Sequence, residues 1–137
     1  MRRSALLDGA GLVHGFGDRR DGVSGGVYAH ANAGFNGDDP AAVRANRARF
    51  ARAAGAPSDA LCTLRQVHGR TARVVAAPEQ GRRDGDALVS RTPGLLLAVT
   101  TADCVPVLLA DPSAGVAAAV HAGWRGAVAG VVEAAVA

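Results

Sequence analysis

Between Leu95 and Gly126 the chain reads LLLAVTTADCVPVLLADPSAGVAAAVHAGWRG, three apolar runs of strand length in close succession. The first, from Leu95 to Thr101, leads to Asp103 and Cys104. The second, Val105 to Ala110, closes on the turn signal Asp111-Pro112-Ser113. The third, Val116 to Val120, ends at His121. Runs without polar alternation fit strands covered on both faces, so this stretch demands a sheet built into layers. The earlier segment Leu61–Gly69 has the same design, a short run followed by His68. Two imidazoles and a thiol therefore stand at strand ends, where a sheet can bring them together.

The flanking sequence reads as connecting structure. Leu12–Phe16 is expected to form a short strand, and Gly17–Gly26 a loop or hairpin rich in turn formers. Asp39 suits a helix N-cap and Pro40 the first helical position; the helix then runs to near Gly55, with Val43, Phe50 and Ala54 toward the core. Strands are expected at Leu61–His68, Thr71–Ala76 and Ala87–Ser90, with a turn-rich segment at Pro78–Asp86. After Gly126 the composition is helical and has no C-terminal capping signal, as in a chain cut within a longer protein.

Composition narrows the function classes. Hydrophobic residues make up 49% of the 137 residues with few aromatics, so the core must rest on Val, Leu and Ala within a single domain. All 15 basic residues are arginine, yet they are dispersed and the net charge is only +3, which speaks against nucleic-acid binding. Asp8 interrupts the N-terminal apolar stretch too early for a signal peptide, and no segment has membrane-spanning length. Two cysteines do not make a secreted disulfide framework, so a cytoplasmic protein with free thiols is expected.

His68, Cys104 and His121 are 36 and 17 residues apart, too far for a zinc finger. Two neutral imidazoles and one thiolate suit zinc with a fourth position left open, the arrangement of catalytic sites. Spacing alone leaves two rivals: a metal-free cysteine–histidine nucleophilic pair, with Cys104 and His68 catalytic, and ordinary buried residues. Cys62 reads as a small core residue, and His14 and His30 as hydrogen-bonded structural residues. Arg47, near the apolar stripe of the helix, is a candidate anion binder, and Asn32 a turn or pocket residue.

QVHG at Gln66–Gly69, TADCVPVLLAD at Thr101–Asp111 and HAGWRG at His121–Gly126 resemble the signatures of the laccase-domain family. Its members are named multicopper polyphenol oxidases, purine nucleoside phosphorylases or peptidoglycan editing factors. HGF at His14–Phe16, GVS at Gly22–Ser24, GDDP at Gly37–Pro40 and NR at Asn46–Arg47 match in the same order. The resemblance implies an α/β fold, a layered mixed β-sheet sandwich flanked by helices and incomplete at its C-terminus. It implies one zinc on His68, Cys104 and His121, with copper as the alternative metal. The implied activity is phosphorolysis of adenosine, inosine or 5′-methylthioadenosine, with adenosine deamination as a related activity. Purine nucleoside and phosphate would be the partners, with no nucleic acid or membrane and an oligomeric state left open. Arg47 would hold phosphate, ahead of Arg19 and Arg125, and Asn32 would contact the nucleoside. Rival activities within the resemblance are a peptidoglycan-precursor amidase using Cys104 and a copper phenol oxidase; an inactive fragment is the rival outside it. The sequence departs from the family at His30-Ala31-Asn32-Ala33-Gly34, where Ser-Leu-Asn-Leu-Gly is usual, and at Arg19-Arg20-Asp21-Gly22.

Overall fold

Asp39 and Pro40 act as their chemistry dictates. In the computed structural model, which describes residues 1–137, the chain forms two units, Met1–Ser58 and Asp59–Ala137. The first unit is mostly loop around two helices, α1 (Ala5–Gly9) and α2 (Pro40–Ala53). The Asp39 carboxylate accepts from the Ala41 N–H at 2.9 Å and caps α2. The buried face of α2 is Val43, Asn46 and Ala51, continued by Ala54. Phe50, expected in the core, is only half-buried; its ring lies over Gly17, where a Cβ would come within 2.4 Å of it.

The strand expected at Leu12–Phe16 reduces to one bridge, with Arg2 and Phe16 exchanging two backbone hydrogen bonds of 2.8 Å. His14 ends the regularity: its Nε2 accepts from the Ser4 N–H at 2.8 Å, and its Nδ1 lies 2.9 Å from the Leu12 carbonyl. It is buried and structural, as expected.

The short motifs of this unit converge on Asn46, which is fully buried. Its amide donates to Ser24 Oγ (2.9 Å) and the Asn32 carbonyl (2.8 Å), and its Oδ1 accepts from the Val23 N–H (2.9 Å). Ser24 Oγ in turn donates to Asp38 (2.7 Å), as does Asn32 Nδ2 (2.9 Å). These bonds, that from Ser24 first, hold the Asp38 carboxyl below its ordinary range. A depressed carboxyl contributes stability above its unfolded pKa, near 3.9, and that contribution is lost as pH falls through the folded value. Stability followed at Tyr28 is therefore expected to fall along an acid limb as pH drops below about 4, and Asp38→Asn, less stable than the wild type near neutral pH, is expected to flatten this limb. An unchanged acid limb in the variant would refute the assignment.

The second unit holds seven strands: β1 (Leu61–Arg65), β2 (Ala72–Val74), β3 (Gln80–Asp84), β4 (Ala87–Ser90), β5 (Leu96–Leu97), β6 (Val105–Asp111) and β7 (Val116–Ala122). Two helices follow, α3 (Trp124–Ala129) and α4 (Val131–Val136), divided at Gly130, whose φ of 85° suits glycine. One sheet is parallel, in the order β3-β1-β5; the other is mixed, in the order β2-β4-β7-β6. The expected mixed, layered α/β architecture is thus present. Alternation along β4 builds the layers. Leu88 points to a core shared with Cys62 and Leu64 of β1, while Ala87 points the other way to Val120 and to Val131 of α4.

Three strand readings change. The expected strand at Leu61–His68 ends at Arg65, and His68 lies beyond it in a turn with φ of 59°. Leu95–Thr101 yields only the two-residue β5, and the turn-rich segment 78–86 contains β3. The expectation that every apolar run is covered on both faces fails for β6, an edge strand whose residues are half-buried or exposed. It holds better for β7, flanked on both sides, where Ala118 to His121 are buried.

Candidate metal centre

Antiparallel register carries two of the candidate ligands to one place. β6 pairs with β7 from Val105 opposite Ala122 and Pro106 opposite His121. Cys104, one residue before β6, therefore arrives beside Gly123, one residue past β7. The third ligand comes from the turn after β1. Gln66 ties that turn to the segment leading to Cys104: its amide donates to the Thr100 carbonyl (2.7 Å) and its Oε1 accepts from the Thr100 N–H (2.8 Å).

The ligand atoms of His68, Cys104 and His121 all lie within 4.8 Å of one another. The two imidazoles meet edge to face, with centroids 4.8 Å apart and an interplanar angle of 84°. A tetrahedral zinc with bonds of about 2.0–2.3 Å holds its donors roughly 3.5 Å apart, so closure requires an approach of about an ångström. His121 is buried, Cys104 half-buried and His68 exposed, which leaves the cluster open on one side.

Gly123 forms the floor. A Cβ there would stand 2.9 Å from His68 Cδ2, 3.1 Å from Cys104 Sγ and 3.6 Å from His121 Cε1. Gly126 has a different need: a Cβ would meet the Gly69 carbonyl at 2.6 Å, so its absence lets α3 pack against the His68 turn. Both glycines of HAGWRG thus answer to close approach at the site. Between them, Trp124 and Arg125 are exposed, with the guanidinium 5.3 Å from the indole centroid.

The Cys104 thiol is pushed above its ordinary range by partial burial first, then by the adjacent Asp103 carboxylate, to which it donates at 3.8 Å. Cys62, by contrast, is fully buried in the core, and its thiol is also raised by burial. A strand running on to His68 would put Cys62 and His68 on one face; the end of β1 at Arg65 separates them.

A family model described as multi-copper polyphenol oxidoreductase laccase matches residues 13–137. The chain belongs to this family. Over 117 residues this laccase-family chain is 53% identical to a purine nucleoside phosphorylase of Deinococcus radiodurans, a match covering 85% of the chain and 46% of that protein. A purine nucleoside phosphorylase of Streptomyces coelicolor is 53% identical over 129 residues, covering 92% of this chain and 53% of that one. The crystal structure of YlmD from Geobacillus stearothermophilus superposes with a TM-score of 0.73 at 35% identity, over 82% of this chain and 46% of that one. The chain spans about half the length of the curated relatives it matches.

The other two sequence-predicted residues of the laccase-family chain, Asn32 and Arg47, lie in the first unit. Asn32 holds its own loop: its Nδ2 donates to the Gly34 carbonyl and Asp38, and its Oδ1 accepts from the Gly34 N–H at 3.0 Å. Arg47 donates from Nε to the Ala33 carbonyl at 2.7 Å and stacks 4.5 Å over the Phe35 ring. Burial shifts its guanidinium downward from its very high ordinary pKa. Arg19 donates to the Ala29 carbonyl.

Sequence reasoning missed Asp86. It is fully buried and accepts at Oδ1 from the His68 N–H (2.9 Å), with His121 Nδ1 2.8 Å away. At Oδ2 it accepts from the N–H groups of Val67 (3.3 Å) and Gly69 (2.8 Å). Its sequence signal is an acidic residue directly before a buried strand, which among glycines looks like any turn residue. No helix is long and apolar enough to cross a membrane.

Proposed function

We propose that the chain carries the metal centre of a zinc-dependent purine nucleoside phosphorylase, with His68, Cys104 and His121 as the ligands. The observation that carries this reading is the convergence of two imidazoles and a thiol on Gly123. That donor set fits zinc, and three protein ligands leave a position for substrate. The names of the Deinococcus and Streptomyces relatives support the nucleoside chemistry.

Phosphorolysis joins a phosphate oxygen to ribose C1′ and releases the purine with the glycosidic electron pair. Bound zinc supplies Lewis acidity, which stabilises negative charge as it develops. Cys104 and His68 are the residues of the centre accessible from its open side, so they are the ones a substrate meets; His121 is a buried ligand. Arg47 provides the counter-charge for phosphate and Asn32 a nucleoside contact. Each is bonded within its own loop, which fixes its side chain. In the same reading the protein acts on adenosine, inosine and 5′-methylthioadenosine, with adenosine deamination as a side activity.

The same ligands suit copper, and the family description names polyphenol oxidation, so oxidation of phenols by a copper-loaded chain is the second reading. Elemental analysis of the purified chain beside Cys104→Ser separates them. Zinc is expected at about one per chain and absent from the variant. Release of free purine from inosine is then expected only with both phosphate and metal present. Copper uptake with phenol oxidation would establish the second reading. Turnover that survives Cys104→Ser in metal-free protein would overturn both.

A further inference from the structure

We infer that Asp86 is the positioning residue of this centre, one carboxylate that orients two of its three ligands. The inference rests on the metal reading above and extends it to a residue outside the ligand set. Asp86 is the residue before β4, and its backbone carbonyl accepts from the His121 N–H at 2.7 Å, so the pairing of β4 with β7 places it beside His121. Its Oδ1 then meets His121 Nδ1 at 2.8 Å in a contact almost closed to solvent, with side-chain exposures of 0% and 3%. With Nδ1 committed to a carboxylate, the imidazole carries its proton there and presents Nε2 as its donor atom.

The same carboxylate reaches the second ligand through the backbone. The N–H groups of Val67, His68 and Gly69 all point at it. Three successive amides around one anion form a nest. His68 sits there with φ of 59°, a left-handed conformation that a residue with a Cβ adopts only when its surroundings hold it. The turn that aims His68 at the centre is thus shaped around Asp86.

A purely structural cap would not need a charge. Burying a carboxylate is costly, and a neutral Asn or Ser side chain can cap backbone amides. A carboxylate facing His121 suits an imidazole that would in turn face a cation, because it fixes the tautomer and orientation of the ring.

The test uses the full chain, with zinc affinity measured by chelator competition and cobalt(II) as a spectroscopic probe. Asp86→Asn keeps the shape and removes the charge. It is expected to weaken zinc binding by about 10–100-fold and to shift the cobalt ligand-field bands. Asp86→Glu, with the charge kept but displaced, is expected to lose less affinity than Asp86→Asn. A lower melting temperature with unchanged zinc affinity and cobalt spectrum would reduce Asp86 to a structural cap and overturn the inference. Nitrogen-15 NMR of the metal-free wild type gives an answer that no variant's folding can obscure: the Nδ1–H tautomer of His121 supports the inference, and the Nε2–H tautomer overturns it. A folded wild type that takes up neither zinc nor cobalt would sink the metal reading itself, and the inference with it.

Discussion

Gly123→Ala is expected to cost the chain about 100-fold in zinc affinity while leaving it folded. The added Cβ would stand 2.9 Å from one imidazole and 3.1 Å from the thiol, inside ordinary van der Waals contact with both. Overpacking of this size costs about 1–3 kcal/mol. A hundredfold loss corresponds to roughly 2.7 kcal/mol, so the strain can be expressed almost entirely as weaker binding. The ligands can yield in metal-free protein because His68 is exposed and Cys104 half-buried. They cannot yield and still converge. Competition titration of wild type against Gly123→Ala, with thermal melts of both metal-free proteins, checks this. Equal affinities would mean that the donors do not close on a common ion above Gly123.

The second large effect concerns the core. Leu88→Ala is expected to destabilise the second unit by about 3 kcal/mol, in the middle of the range for buried leucines. Leu88 is fully buried at the centre of β4, between β2 and β7, and packs with Cys62, Leu64 and Val75. No aromatic ring stands in this cluster to swing into the space left behind. Most of the cavity would persist, and residual cavity volume is what raises the cost. Val74→Ala, at a position 75% exposed on the neighbouring strand, is expected to stay within about 0.5 kcal/mol of wild type. Urea unfolding of the three proteins measures both. Equal midpoints for Leu88→Ala and wild type would mean that β4 is not the core of the unit.

These two positions also show what was legible from the sequence. β4, β6 and β7 announced themselves because apolar runs between turn signals leave few alternatives, and α2 because Asp39-Pro40 combines a cap with a pre-set φ. β3 did not. Its residues, QGRRD, are mostly exposed and polar, and it is a strand because its backbone pairs with β1, which side-chain composition does not report. The candidate ligand trio was visible as residue types at run ends. Their convergence follows from the β6–β7 register, which antiparallel neighbours in sequence make nearly obligatory. Asp86 was hidden because its significance depends on His121, 35 residues later. Asn46 was hidden beside Arg47: a cation stands out on a helix, while a neutral amide gives no sign in sequence that it is the buried hub of its loops.

The spacing of the candidate ligands, in the turn after β1, just before β6 and within β7, sets an order of events. Ligands 36 and 17 residues apart form no chelating motif in an unfolded chain. Each would bind as a lone side chain, with loop closure opposing any pair. The centre comes into being only once β7 has docked between β4 and β6. On the proposed ligand set, metal would therefore be acquired by a finished sheet and would not nucleate it, the reverse of a small zinc finger. Once loaded, an ion would fasten three distant segments together and oppose the opening of that sheet, while its own release could proceed from the open side with the sheet intact. Chelators should then remove it without unfolding the second unit, and leave that unit easier to unfold.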